Sequence, residues 1–178
     1  MKKLHIVLYE PEIPQNTGNI MRTCVAIDAK LHLIQPLGFS LDDKYLKRSR
    51  LDYFKDLEYQ VYEHYDAFAQ ANEGKFYFLS RYGQKTYSDF KFSDVEDENL
   101  YLIFGKESTG IDKHILAKHL NDCYRIPTTD KVRSLNLSNA VALVSYEVLR
   151  QLDFNTLEKY EPETLKGKRF LIQFLGEE

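Results

Sequence analysis

The chain has 178 residues, of which 43% are hydrophobic and 29% charged, with a formal net charge of −3. That is enough for one domain with a real core, and the composition is ordinary for a soluble globular protein. A nearly balanced charge excludes a globally basic nucleic-acid binder, so a nucleic-acid partner has to be met by a local patch. Cys24 and Cys123 supply neither a disulfide framework nor metal-ligand spacing, which fits a reducing compartment. No apolar run approaches the roughly 20 residues of a membrane span. The N-terminus enters a strand almost at once, without the pattern of a signal peptide, and the cytoplasm is the expected location.

In chain order, periodicity predicts alternating strands and helices. Leu4–Tyr9 is a strand, and Thr17–Asp28 a helix with Asn16 or Thr17 as its cap. Leu31–Gln35 is a strand. Leu41–Arg50 is a short basic helix that opens on Asp42 and Asp43, where the helix dipole favours acids. Tyr59–Tyr62 reads as a strand, Tyr65–Ala71 as a helix, and Lys75–Ser80 and Asn99–Phe104 as aromatic and β-branched strands. A helix over Ile111–His119 and a strand over Cys123–Ile126 follow, the strand stopped by Pro127, which has no ladder donor. The long helix Ser134–Leu152 is apolar at Leu137, Val141, Val144 and Val148, with Ser134, Asn136 or Ser138 as its cap. Strands separated by helices imply βαβ crossovers. The expected fold is α/β, a mostly parallel sheet with helices on both faces, over residues 1–153. Residues 154–178 form a tail whose Phe170–Leu175 run is suited to pack on the domain or on a partner.

Three polar loops each follow a strand: residues 10–22, residues 104–111 and residues 125–142. In an open parallel sheet, ligands bind beyond the C-terminal strand ends, so three such loops together point to a polar-ligand site. Taken singly, each loop also suits a plain tight turn with a capped helix behind it. No G-x-G-x-x-G follows the first strand, and neither a P-loop nor a G-x-S-x-G elbow occurs anywhere. His114 and His119 stand five apart, a poor spacing for one helical face, and no metal site is expected.

The loops, in this order and spacing, resemble the three motifs of the SPOUT class of RNA methyltransferases. Within that class they are similar to the small tRNA 2′-O-methyltransferases of the anticodon wobble nucleotide, the TrmL or YibK type. The resemblance rests on Leu8 through Arg22, on Leu51-Asp52-Tyr53, on Phe104-Gly105 with Glu107 and Gly110, on Arg125-Ile126-Pro127, and on Arg133 through Ala140. It covers residues 3 to about 153. Lys106 stands where a proline is common, a mild departure in a loop that binds largely through its backbone.

The resemblance implies a deep trefoil knot in the C-terminal segment, which periodicity alone does not show. It implies an S-adenosylmethionine cofactor held at Leu79, Gly105, Ile126, Ser134 and Leu135, and an obligate homodimer formed by the helices that begin near Thr17 and Ser134. The implied reaction is methyl transfer to the ribose of cytidine or a modified uridine at the wobble position of tRNA. Its catalytic candidates are Arg22, Ser134 and Asn136. The RNA-binding candidates are Asn16, Lys47, Arg48, Arg133 and Tyr146, with Lys47 and Arg48 in the basic run of residues 44–50. Arg81, Tyr82 and Lys85 form a second possible patch. A SPOUT enzyme for another tRNA or rRNA nucleotide, or a non-catalytic RNA-binding module, are the alternative readings.

Overall fold

Between Lys3 and Tyr9 the side chains alternate across the sheet. Leu4, Ile6 and Leu8 join one core, Val7 the other, and His5 is buried on the side of Val7. A strand dressed on both sides needs helices on both sides. The structure is a computed structural model and describes residues 3–41, 54–95 and 99–175. Its strands are β1 (Lys3–Tyr9), β2 (Lys30–Ile34), β3 (Tyr59–Tyr62), β4 (Lys75–Leu79), β5 (Lys85–Thr86), β6 (Asn99–Phe104) and β7 (Cys123–Arg125). They form one seven-stranded sheet in the order β3-β2-β1-β6-β4-β7-β5. Every pairing is parallel, so all C-terminal strand ends share one edge.

Among the described residues the α-helices are α1 (Pro14–Ala26), α2 (Tyr65–Ala71), α3 (Lys113–Lys118) and α4 (Leu137–Gln151). On one face, Ile20, Met21 and Cys24 of α1 and Val141, Val144 and Val148 of α4 pack with Leu4, Ile6, Leu8, Leu100 and Leu102. On the other, Phe68 of α2 and Leu116 of α3 pack with Val7, Ile34, Phe78 and Ile103. The expected α/β architecture is therefore the observed one.

Three boundaries differ from the pattern-based expectation, and each has a local cause. Helix α1 starts at Pro14, not Thr17, because proline suits the first helical position, where its missing N–H is not needed. Asn16 and Thr17 consequently lie inside the helix, buried, and neither caps it. Helix α3 is shorter than expected and is capped by Asp112, whose Oδ1 accepts from the backbone of His114 at 2.7 Å. Of the three candidate caps for α4, Asn136 serves: its Oδ1 accepts from the Ser138 N–H at 2.9 Å.

Apart from Leu41, the predicted helix Leu41–Arg50, with Lys47 and Arg48, lies outside the described residues. After α4 the chain reverses through left-handed Asp153 and Phe154, and Phe154 and Leu157 pack back on the core. Further on, Phe170–Phe174 forms a 3-10 turn with Leu171, Ile172 and Phe174 exposed. Among the described residues no helix is long and apolar enough to cross a membrane.

The second face also holds a buried polar chain. His5 Nδ1 meets His32 Nε2 at 2.9 Å, His32 Nδ1 meets the Tyr62 hydroxyl at 3.0 Å, and Asn72 Nδ2 donates to that hydroxyl at 3.1 Å. Burial, aided by the charges of His5 and Lys30, pushes the His32 imidazole down to about 3. In the unfolded chain it protonates near about 6.5. Between those values the unfolded state binds the extra proton. The stability from a neutral His32 is present above about 6.5 and is lost as pH falls toward about 3. The expected slope is up to about 1.4 kcal/mol per pH unit for one proton. Denaturant titrations from neutral pH to pH of about 4 should therefore show a shallower acid loss in His32→Gln than in the wild type. Equal slopes would count against this account.

Candidate active site

Helix α1 has no side-chain cap of its own, since Ile13 occupies the N-cap position. The cap comes from a distant loop. The Glu107 carboxylate accepts from the backbone N–H groups of Glu12 at 2.9 Å and Ile13 at 3.3 Å, and from Asn16 Nδ2 at 2.9 Å. An acid at a helix N-terminus also meets the positive end of the helix dipole. The contact is reciprocal: Glu12 accepts from Ser108 N at 2.9 Å and Ser108 Oγ at 2.8 Å. Those two hydrogen bonds hold the Glu12 carboxyl below its usual range. Lys106 Nζ reaches the Glu10 carboxylate at 2.5 Å, so the loop after β6 is clamped along the loop after β1.

The third loop joins through one amide. Asn136 caps α4 with its oxygen and donates from Nδ2 to Asn16 Oδ1 at 3.0 Å. The relay Asn136–Asn16–Glu107 thus ties all three loops, although its ends are far apart in sequence. Within the loop after β6, Gly110 adopts a φ of +76° and its N–H returns to the Lys106 carbonyl at 3.0 Å. Gly105 is needed for closeness: a Cβ there would lie 2.3 Å from the Gly110 carbonyl carbon.

The loops enclose a cavity of about 590 Å³ beyond the ends of β4, β6 and β7. Leu79, Gly105, Ile126, Ser134, Leu135, Asn136, Asn16 and Arg133 all line it. Asn16 is 6% exposed and its amide is engaged at both ends, so its place here is to hold the loops together. Arg22 and Tyr146 do not line the cavity; they lie on outward sides of α1 and α4, with Tyr146 47% exposed. Lys47 and Arg48 are outside the described residues.

The second basic patch divides. Arg81 and Tyr82 line the cavity mouth, whereas Lys85 Nζ donates to the Asn121 carbonyl at 3.4 Å. Sequence reasoning missed the role of Glu107 as a cap, because its partners stand about ninety residues earlier. The absence of any capping side chain before Pro14 was the available signal.

The model of the SpoU rRNA Methylase family matches residues 3–146. A protein of Listeria monocytogenes serotype 4b, provisionally named a tRNA (cytidine(34)-2′-O)-methyltransferase, is 51% identical over 154 residues, 86% of this chain and 90% of that one. The Escherichia coli K12 tRNA (cytidine(34)-2′-O)-methyltransferase is 43% identical over 153 residues, 85% of this chain and 95% of its own. A structure solved for the 2′-OH methylation of C/U34 on tRNA superposes with a TM-score of 0.78 at 40% identity, covering 86% of this chain and 98% of that chain.

Two substitutions test the loop architecture. Gly105→Ala should force the loop open and lower unfolding stability by about 1–3 kcal/mol, the cost of overpacking and backbone strain. Glu107→Ala should lower unfolding stability by about 1–3 kcal/mol, because the amides it caps lose their acceptor. Wild-type values for both would show that the loops are held by other contacts.

Proposed function

This chain belongs to the SpoU rRNA Methylase family, and we propose that it methylates the ribose 2′-oxygen of the wobble nucleotide, position 34, of tRNA with S-adenosylmethionine as methyl donor. The observation that carries this reading is the convergence of Leu79, Gly105, Ile126, Ser134 and Leu135 on one cavity. That cavity fits the donor. Its volume of about 590 Å³ is in the range of nucleoside-sized sites, and its walls include Leu79, Phe104, Ile126 and Leu137 with polar groups at the rim. Leu79, Ile126 and Leu135 hold the apolar part, while Gly105 and Ser134 offer backbone and hydroxyl groups. When bound, S-adenosylmethionine supplies an activated methyl group.

The remaining chemistry belongs to the chain. A ribose hydroxyl is a weak nucleophile and must be oriented while its proton passes to solvent water. Ser134, on the cavity rim, orients it, and Asn136 fixes the loop that carries Ser134. Arg22 cannot be a general base, because a guanidinium keeps its charge in proteins and has no free lone pair to take up a proton. It acts through charge, placing a phosphate and stabilising negative charge as it develops on the oxygen.

The position of Arg22 supports a homodimer. Gln15, Asn19, Arg22 and Ala26 form the outward stripe of α1, and Asn139, Leu143, Tyr146 and Arg150 that of α4. The two helices pack side by side on one face of the sheet. A two-fold contact through this face brings Arg22 of one copy to the cavity of the other. Tyr146 meets RNA or the partner copy there.

The knot is part of the same reading. Strand β7 lies between β4 and β5, which adjoin in sequence, so the later segment passes under the loop of residues 80–84. This arrangement supports a trefoil thread closed by α4. The methyltransferase unit ends near residue 153, residues 154–178 are an appendage, and the enzyme works in the cytoplasm with its tRNA.

Labelled S-adenosylmethionine should transfer methyl groups to tRNA from cells lacking this activity, and nucleoside analysis should find a 2′-O-methylated pyrimidine at the wobble position. Methyl groups elsewhere, or none, would overturn the assignment. Arg22→Ala and Ser134→Ala should each lower kcat at least about a hundred-fold. Mixing these two inactive proteins under subunit exchange should restore about a quarter of wild-type activity, from the one competent site in each mixed dimer. No recovery would place Arg22 in the site of its own subunit.

A further inference from the structure

A second recess of about 500 Å³ adjoins the cavity and shares Arg81, Tyr82 and Arg133 with it. Arg81, Arg125, Lys131 and Arg133 line it, against the single carboxylate of Asp130. Among the described residues none of these cations is ion-paired. Tyr82 stands at the boundary, with 51% of its surface exposed. Arg81 Nη2 donates to its hydroxyl at 2.7 Å, and the guanidinium lies 4.8 Å from the ring centroid. Lys113 Nζ approaches the same ring at 5.4 Å. The Arg81 hydrogen bond, with the charges of Arg81, Lys113 and Arg133, holds the phenol below its usual range, which reports a positive local field.

Unpaired cations suit phosphates, and an exposed aromatic ring fixed by a neighbour suits an unstacked base. The two recesses share a wall, so with the methyl donor in the first and the target ribose at its rim, a neighbouring nucleotide would reach the second.

We propose that this second recess seats the RNA nucleotide adjacent to the methylated one, its base stacked on Tyr82 and its phosphates held by Arg81, Arg125 and Arg133. The proposal rests on the tRNA methyltransferase reading, which puts the target ribose at the rim of the first cavity. Tyr82 is a specificity and affinity residue: it contributes a stacking face, and its hydroxyl serves only to anchor the ring to Arg81. The absence of hydrogen-bonding groups on the ring face makes the seat tolerant of base identity.

The test uses full-length protein and an anticodon stem-loop carrying 2-aminopurine on the 5′ or the 3′ side of the target nucleotide. Wild type and Tyr82→Phe should quench the probe at one of these positions, and Tyr82→Ala should not. Tyr82→Ala should also raise KM for tRNA about ten-fold or more, by the usual worth of base–aromatic stacking. Arg125→Gln should flatten the dependence of RNA affinity on salt by close to one released counterion.

Unchanged quenching and KM in Tyr82→Ala would overturn the proposal, as would an equal loss of S-adenosylmethionine affinity, which would assign Tyr82 to the cofactor cavity. If the wild type methylates no tRNA, the functional reading fails. Stem-loop quenching that still depends on the Tyr82 ring would then uphold the recess as a nucleotide seat, and its absence would overturn that too.

Discussion

One carboxylate organises the site. Glu107 sits on the open N-terminus of α1 and takes the place of a cap that the local sequence does not provide. A helix end carries unsatisfied N–H groups and a partial positive charge, so it holds an acid firmly. That acid belongs to the loop after β6, so satisfying the helix also positions the loop. Asn16 extends the contact to Asn136, which in turn starts α4. Loops from distant parts of the chain are therefore set against one another by a short relay. Each member needs the next to satisfy its own hydrogen-bonding groups.

The sheet makes that relay possible. Every strand is parallel, so the loops after β1, β4, β6 and β7 emerge at one edge. Inserting β7 between β4 and β5 brings Ile126 and the loop behind it under the arch of residues 80–84. The fit is close: a Cβ on Gly83 would lie 2.4 Å from the Tyr124 backbone. The Ser80 N–H donates to the Tyr124 carbonyl at 2.8 Å and fixes the arch to the strand below it. Arg81 and Tyr82 on this arch line both the cavity and the recess beside it.

The opposite end of the sheet is built differently. His5, His32, Tyr62 and Asn72 form a buried hydrogen-bonded chain away from the cavity. Polar groups at such a place must be paired, and pairing them across β1, β2 and β3 fixes the register of those strands. Acid tolerance and ligand binding therefore depend on separate parts of the molecule.

Much of this was legible from residue order. The strands Tyr59–Tyr62 and Asn99–Phe104 and the helix Tyr65–Ala71 follow from periodicity alone, because burial on one or two faces imposes it. The cavity residues Leu79, Gly105, Ile126, Ser134 and Leu135 came from motif resemblance, and they converge because strand ends in a parallel sheet must. Other features depend on contacts between segments far apart in the chain. The start of α1 is set by Pro14 and completed by Glu107, so local capping rules placed it too late. The separation of Arg81 and Tyr82 from Lys85, and of Arg22 from its own cavity, follows from which way each element faces once packed. Local pattern and strand direction suffice for the elements and the parallel α/β class, and shared motifs for the residues that form the cavity. Packing sets the cap, the insertion of β7 and the side of the site on which each cation stands, since these depend on through-space pairing that no local pattern encodes.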